Sequence, residues 1–123
     1  MGNVAQQLKA AMEIEGAVGV ALVDFDSGLT LGTEGGGPDL DLEVAAAGNT
    51  EVIKAKMKAL RRLGIEDPIE DILMTLKSQL HFIRLISGES GEGLFIYLVL
   101  DRERSNLALA RRELRIVERN LVI

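Results

Sequence analysis

The chain has 123 residues, of which 47% are apolar and only 3% aromatic, so its core must be built from aliphatic side chains. This length is typical of one domain, and we predict a single domain over 1–123. A formal net charge of −5 disfavours nucleic acid and anionic membranes as partners. The absence of cysteine excludes disulfides and thiolate chemistry, and no apolar run is long enough to cross a bilayer. We therefore expect a soluble cytoplasmic protein without membrane insertion.

The N-terminal part of the chain predicts one helix followed by a β-hairpin. Residues 3–6 have the spacing of a capping box, and apolar residues then recur at helical spacing until Gly16. Apolar and small residues alternate over 17–23, which is typical of a central strand, and alternation resumes over 29–33. The intervening 24–28 segment, Asp-Phe-Asp-Ser-Gly, has turn chemistry.

A long second helix is predicted after a glycine-rich break. The 35–38 segment, Gly-Gly-Gly-Pro, interrupts the chain, and Asp39 or Asp41 can cap the helix that follows. The helix runs to about Arg62, and Gly64 is its stop signal. Because the residues before the break are too few to bury a core alone, we interpret the break as a connector within one domain.

The C-terminal half predicts three strands and a third helix. The strands cover 72–76, 80–86 and 94–100, with a turn at 88–93. Asp101 is predicted to open the third helix, whose apolar residues form one narrow stripe. That stripe contains Leu107, Ala110, Leu114, Val117 and Leu121. The element order is α-β-β-α-β-β-β-α, and the short connections require antiparallel pairing within each group of strands.

The second helix carries two apolar stripes where one would suffice to cover a sheet. At 100° per residue, the first stripe is mostly large and contains Leu42, Ala46, Ile53, Met57 and Leu60. The second stripe is mostly small: Val44, Ala45, Gly48, Val52, Ala55 and Ala59. The remaining polar arc holds Glu43, Thr50, Glu51, Lys54, Lys58 and Arg61. The second stripe must be buried either by a detail of the same monomer or by another chain.

These features predict a homodimer. The third strand is expected at a sheet edge, where its free backbone groups can pair with the same strand of a second chain across a twofold axis. Small residues on the second helix would let it approach its twin closely. The predicted dimer interface contains Val44, Gly48, Val52, Ala55, Ala59, Ile72 and Met74.

No segment of the sequence predicts catalysis, a metal site or a cofactor. Asp24 and Asp26 could begin a calcium loop, but position 35 is Gly where such a loop needs Glu, so a turn is favoured. The 88–92 segment begins like a nucleophile elbow but lacks its final Gly, and a hairpin turn is the better interpretation. His81 is the only histidine, and we interpret it as a surface or interface residue. The chain lacks a P-loop motif and is therefore not itself a P-loop GTPase.

Six arginines between 102 and 119 make the last helix locally basic. Glu103, Glu113 and Glu118 are interspersed among them, so we interpret this region as a solvated face, with a phosphate-binding helix as the alternative. An enzyme or small-ligand sensor is disfavoured because one Tyr and three Phe are too few to line a typical ligand pocket.

The chain resembles the roadblock / dynein light chain family. The resemblance lies in 14–24 with the 26–28 turn, in 69–75 and 79–84, and in the order of the elements. It implies a roadblock/profilin-like α+β sandwich, a five-stranded antiparallel sheet with the second helix on one face and the first and third on the other. It also implies a non-catalytic homodimer that binds and regulates a Ras-like small GTPase. The alternative is a structural scaffold or light-chain-type adaptor without GTPase regulation.

The polar arc of the second helix is the candidate surface for such a partner. Its candidate partner-binding residues are Glu51, Lys54, Lys58 and Arg61, although each is also compatible with a solvated helix face. A dimer without catalytic groups can regulate a GTPase by binding its nucleotide states unequally.

Overall fold

The computed structural model describes residues 2–86 and 93–123. Its helices are α1 Val4–Met12, α2 Leu42–Arg62 and α3 Leu107–Asn120. Its strands are β1 Ala17–Asp24, β2 Thr30–Gly35, β3 Asp71–Thr75, β4 Gln79–Leu85 and β5 Leu94–Asp101. The predicted order of elements is confirmed. The turn predicted at 88–93 lies almost entirely outside the described residues.

The five strands form one antiparallel sheet in the order β2-β1-β5-β4-β3. Successive side chains of the central strands point to opposite faces, and each face has its own apolar cluster. Val20 and Leu22 of β1 pack with α1 and α3, whereas Ala21 and Val23 pack with α2. The predicted sandwich, with α2 on one face and the other two helices opposite, is confirmed.

The predicted capping box at 3–6 is wrong. The side chain of Asn3 makes no capping hydrogen bond to α1. Instead its Oδ1 accepts from the Val122 amide at 2.7 Å, and its Nδ2 donates to the Asn120 carbonyl oxygen at 2.7 Å. Asn3 therefore joins the two ends of the chain, which a local sequence pattern could not reveal.

The predicted start of the third helix at Asp101 is also wrong. Asp101 is the last residue of β5, and its Oδ1 accepts from the Glu103 amide in a turn at 3.1 Å. The helix begins after Asn106, whose side-chain oxygen caps it by accepting from the Leu109 amide at 3.0 Å. The predicted apolar stripe itself is confirmed, since its central residues Ala110 and Leu114 are buried.

An ion cluster attaches the edge of the sheet to α3. The Arg111 guanidinium donates two hydrogen bonds of 3.1 Å to the carboxylate of Asp71, the first residue of β3. The Arg84 guanidinium on β4 donates to both carboxylate oxygens of Glu118 at 3.2 and 3.4 Å. Among the described residues, Nη1 of Arg84 has no hydrogen-bond partner and lies 3.9 Å from Oδ2 of Asp71. We call these four side chains the ion cluster, and they fix where β3 lies.

Candidate protein–protein interface

Local signals at both ends determine the length of α2. Asp41 caps the helix, because its Oδ1 accepts from the amides of Glu43 and Val44 at 3.1 Å each. Gly64, with a φ of +72°, reverses the chain after the last turn, and the Ile65 amide donates to the Leu60 carbonyl oxygen at 3.0 Å. The predicted limits of the helix are therefore confirmed.

One side of α2 packs on the sheet, largely as predicted. Leu42, Ala46 and Ile53 are buried, and Met57 is partly buried against the same cluster. The assignment of Thr50 to the polar arc is wrong. Thr50 is buried, and its hydroxyl donates to the Ala46 carbonyl oxygen at 2.8 Å, which satisfies the polar group inside the fold.

The small-residue stripe of α2 is at the surface of the monomer. Val44 is 68% exposed and Val52 is 41% exposed, while Gly48 and Ala55 are exposed and Ala59 is half-buried. A Cβ atom added to Gly48 would meet nothing within 4 Å. Within this monomer the described contacts therefore give no steric reason for glycine, whereas the close approach of another chain would give one. We call these five residues the small-residue face.

The predicted edge position of β3 is confirmed among the described residues, since it pairs with β4 alone. Its five consecutive pairs with β4 have no register shift. The opposite edge strand, β2, has a register shift against β1, and such irregularities discourage pairing with another chain. Ile72 and Met74 of β3 are half-buried on the face that α2 covers. The predicted strand ends at Leu76, but Leu76 lies in the turn, where its amide donates to the Gln79 carbonyl oxygen at 2.9 Å.

The predicted partner-binding residues all lie exposed on α2. Glu51, Lys54, Lys58 and Arg61 fall within one narrow arc of the helix, beside the small-residue face. Nζ of Lys54 lies 5.8 Å from the centroid of the Phe25 ring. These four residues thus present three cations and one carboxylate to solvent next to an apolar surface.

A polar network that the sequence did not indicate lies on the α2 face of the sheet. The Tyr97 hydroxyl and Nδ1 of His81 are 3.0 Å apart, and Nε2 of His81 is 2.9 Å from Oε1 of Gln79. If Nε2 carries the proton and donates to Gln79, Nδ1 accepts from Tyr97. Burial lowers the pKa of His81. Burial raises the pKa of Tyr97, and the side chain of Asn49 on α2 opposes that rise.

The two candidate sites considered from the sequence, a calcium loop and a nucleophile elbow, can be compared with the structure only in part. Within 2–86 and 93–123, no group of three or more His, Cys, Asp or Glu side chains could hold a metal ion. Asp24 and Asp26 lie in the predicted turn, where Oδ1 of Asp24 accepts from the Asp26 amide at 2.9 Å. The 88–92 segment lies outside the described residues. No helix in the described part of the chain is long and apolar enough to cross a membrane.

Solved structures share this arrangement of elements. A roadblock/LC7 domain from Streptomyces avermitilis superposes with a TM-score of 0.78 at 19% identity, covering 93% of this chain and 90% of that one. The gliding protein MglB from Thermus thermophilus superposes with a TM-score of 0.77 at 16% identity, covering 94% of this chain and 83% of that one. An MglB described as having a tetrameric arrangement gives a TM-score of 0.78 at 17% identity, covering 94% and 82%.

Comparison by sequence finds no matching family model and no matching curated protein. The structural likeness therefore establishes the fold, and the chain has the roadblock fold. The fold expected from the resemblance is confirmed.

Proposed function

We propose that this chain is a non-catalytic roadblock-domain protein that forms a homodimer through α2 and β3 and binds a Ras-like small GTPase. The observation that carries the proposal is the exposed small-residue face of α2, on the same side of the sheet as the apolar residues of an open edge strand. One stripe of α2 already covers the sheet, so the second is available for another chain. The proposed location is the cytoplasm, because a chain without cysteine fits a reducing compartment.

The geometry of the two features supports one interface. A second β3 that pairs antiparallel with the first would extend the sheet across a twofold axis and bring the two α2 helices together on one face. Ile72 and Met74 would then be covered from both sides. Close approach of the helices would account for the small residues Gly48, Ala55 and Ala59, because larger side chains would hold the helix axes apart. An MglB with a tetrameric arrangement shares the fold, which also supports self-association.

The proposed GTPase surface is the polar arc beside that dimer contact. In the dimer the two arcs would lie on one side of the paired helices, so one partner could contact Lys54, Lys58 and Arg61 of either chain. To shift a GTPase tenfold between its nucleotide states, the dimer must prefer one state by about 1.4 kcal/mol. One or two charge-assisted hydrogen bonds made in that state alone would supply this difference.

A titration of the dimer with a purified Ras-like GTPase encoded near its gene, loaded with GDP or with a non-hydrolysable GTP analogue, tests the proposal. We expect unequal dissociation constants for the two forms. The double substitution Lys54→Glu with Lys58→Glu should narrow the difference while the dimer persists. The matched control is Lys9→Glu, an exposed lysine on α1 across the sheet, which should leave both constants unchanged.

Equal affinity for both nucleotide states would favour the scaffold alternative, in which the dimer anchors a partner without regulating it. Failure to bind any such GTPase would contradict the regulatory part of the proposal.

A further inference from the structure

A second surface lies across the sheet from α2, where the outward sides of α1 and α3 form a groove of about 280 Å³. Leu109 and Ile116 line it and remain 39% and 36% exposed, and the buried residues Ile14 and Val117 also line it. Small-molecule sites usually have volumes of about 300–1,000 Å³. This groove is below that range, and its size suits a few apolar side chains of another protein.

Charges of opposite sign flank the exposed apolar residues. The charged residues that line the groove are all carboxylates: Glu13, Glu15 and Glu113. At 100° per residue, Leu109 and Ile116 form a row along α3 with Glu113 on one side and three exposed arginines on the opposite side. These arginines are Arg112, Arg115 and Arg119. The surface thus has an acidic flank, an apolar centre and a basic flank, and we call it the α3 surface.

We propose that the α3 surface binds the α3 surface of a second copy of this chain. A twofold axis parallel to α3 would place Leu109 and Ile116 against their own counterparts. The same operation exchanges the flanks, so each basic flank meets the acidic flank of the partner. Arg112 and Glu113 are neighbours in sequence and lie at nearly the same height along α3. Arg112 of each chain would therefore face Glu113 of the other chain. The surface is therefore complementary to itself, as an isologous contact requires.

This contact is separate from the proposed α2 dimer and does not depend on it, since the two surfaces lie on opposite faces of the sheet. If both form, each chain has two different twofold contacts, and the product is larger than a dimer. Small, partly polar contacts of this kind belong to the weak and transient class of interfaces. The association should therefore depend on protein concentration and weaken as salt screens the charged flanks.

Sedimentation of the full chain from about 10 to about 500 μM tests the contact, because complexes with Kd near 100 μM become populated in this range. We expect Ile116→Glu to weaken the α3 contact about tenfold or more and to leave the α2 dimer. Ala55→Glu should leave only the α3 contact. The variant with both substitutions should be monomeric, so failure of either contact is visible independently of the other.

A charge exchange provides a second test that does not depend on burying a new charge. Glu113→Arg alone and Arg112→Glu alone should each weaken the α3 contact roughly threefold to tenfold, since each acts twice in a symmetric contact. The double variant should recover the affinity of the original chain, because it exchanges the two flanks locally.

The proposal is overturned if the assembly of Ile116→Glu matches that of the original chain at every concentration. It is also overturned if the double charge variant is weaker than both single variants.

Discussion

Removing one carboxylate from the ion cluster should destabilise the protein strongly. Glu118→Gln keeps the size of the side chain but removes its charge, which leaves the Arg84 guanidinium paired only with Asp71 at 3.9 Å. The side chains of Arg84 and Glu118 are only 11% and 13% exposed. A guanidinium in such a place has lost most of its hydration, so it depends on the carboxylate for compensation.

The expected loss follows from that burial. Breaking a buried ion pair by removing one partner costs about 3–5 kcal/mol. The remaining exposure and the nearby carboxylate of Asp71 offset part of the cost, so we expect about 2–3 kcal/mol for Glu118→Gln. With a urea dependence of about 1.5 kcal/mol per molar, the unfolding midpoint should fall by about 1.3–2 M.

Urea unfolding at one fixed protein concentration measures this shift. The matched control is Glu66→Gln, the same change at an exposed position in the connection between α2 and β3, which should alter stability by less than about 0.5 kcal/mol. Arg84→Met combined with Glu118→Leu removes both charges and should be more stable than Glu118→Gln alone. A loss below about 1 kcal/mol for Glu118→Gln would refute the reasoning that the cluster is dehydrated and holds β3 in place.

Three further predictions concern single residues. Asp41→Ala removes the α2 cap and should lower the free energy of unfolding by about 1 kcal/mol in thermal melts. Gly64→Ala should cost about 1–2 kcal/mol by the same assay, because a Cβ there meets open space and the cost comes from the positive φ alone. Because the pKa of His81 is lowered in the folded chain, the unfolded chain binds more protons than the folded chain as pH falls through 6.5. The free energy of unfolding should therefore decrease from pH 7.5 to 5.5, and His81→Gln should remove part of that decrease. If the variant and the original chain have the same pH profile of stability, the role given to His81 is contradicted.

The parts of the fold that follow local rules could be predicted from the sequence. Asp41 and Gly64 mark the ends of α2 because a cap and a left-handed turn involve only neighbouring residues. The two stripes of α2 also follow from helical periodicity. The periodicity misplaces Thr50, because a hydroxyl that bonds to the preceding turn can be buried at the margin of an apolar stripe.

Individual side-chain contacts between distant residues could not be predicted. The ion cluster joins Asp71, Arg84, Arg111 and Glu118, and their pairing depends on how α3 lies on the sheet. Asn3 satisfies backbone groups near the C-terminus, so its resemblance to a helix cap is misleading. Sequence periodicity identifies the small-residue face as apolar, but it cannot identify what covers that face.

The mass of the particle in dilute solution tests the central claim, dimerisation through α2, most directly. Sedimentation at about 10 μM and 0.5 M salt should give twice the 13.3 kDa mass of the chain, because screening weakens the charged flanks of the α3 surface. Ala55→Glu, on the small-residue face, should give the monomer mass. Ala47→Glu is the matched control, the same change at an exposed position outside that face on the same helix, and it should remain a dimer. A monomeric original chain, or a dimeric Ala55→Glu variant under these conditions, would contradict the account.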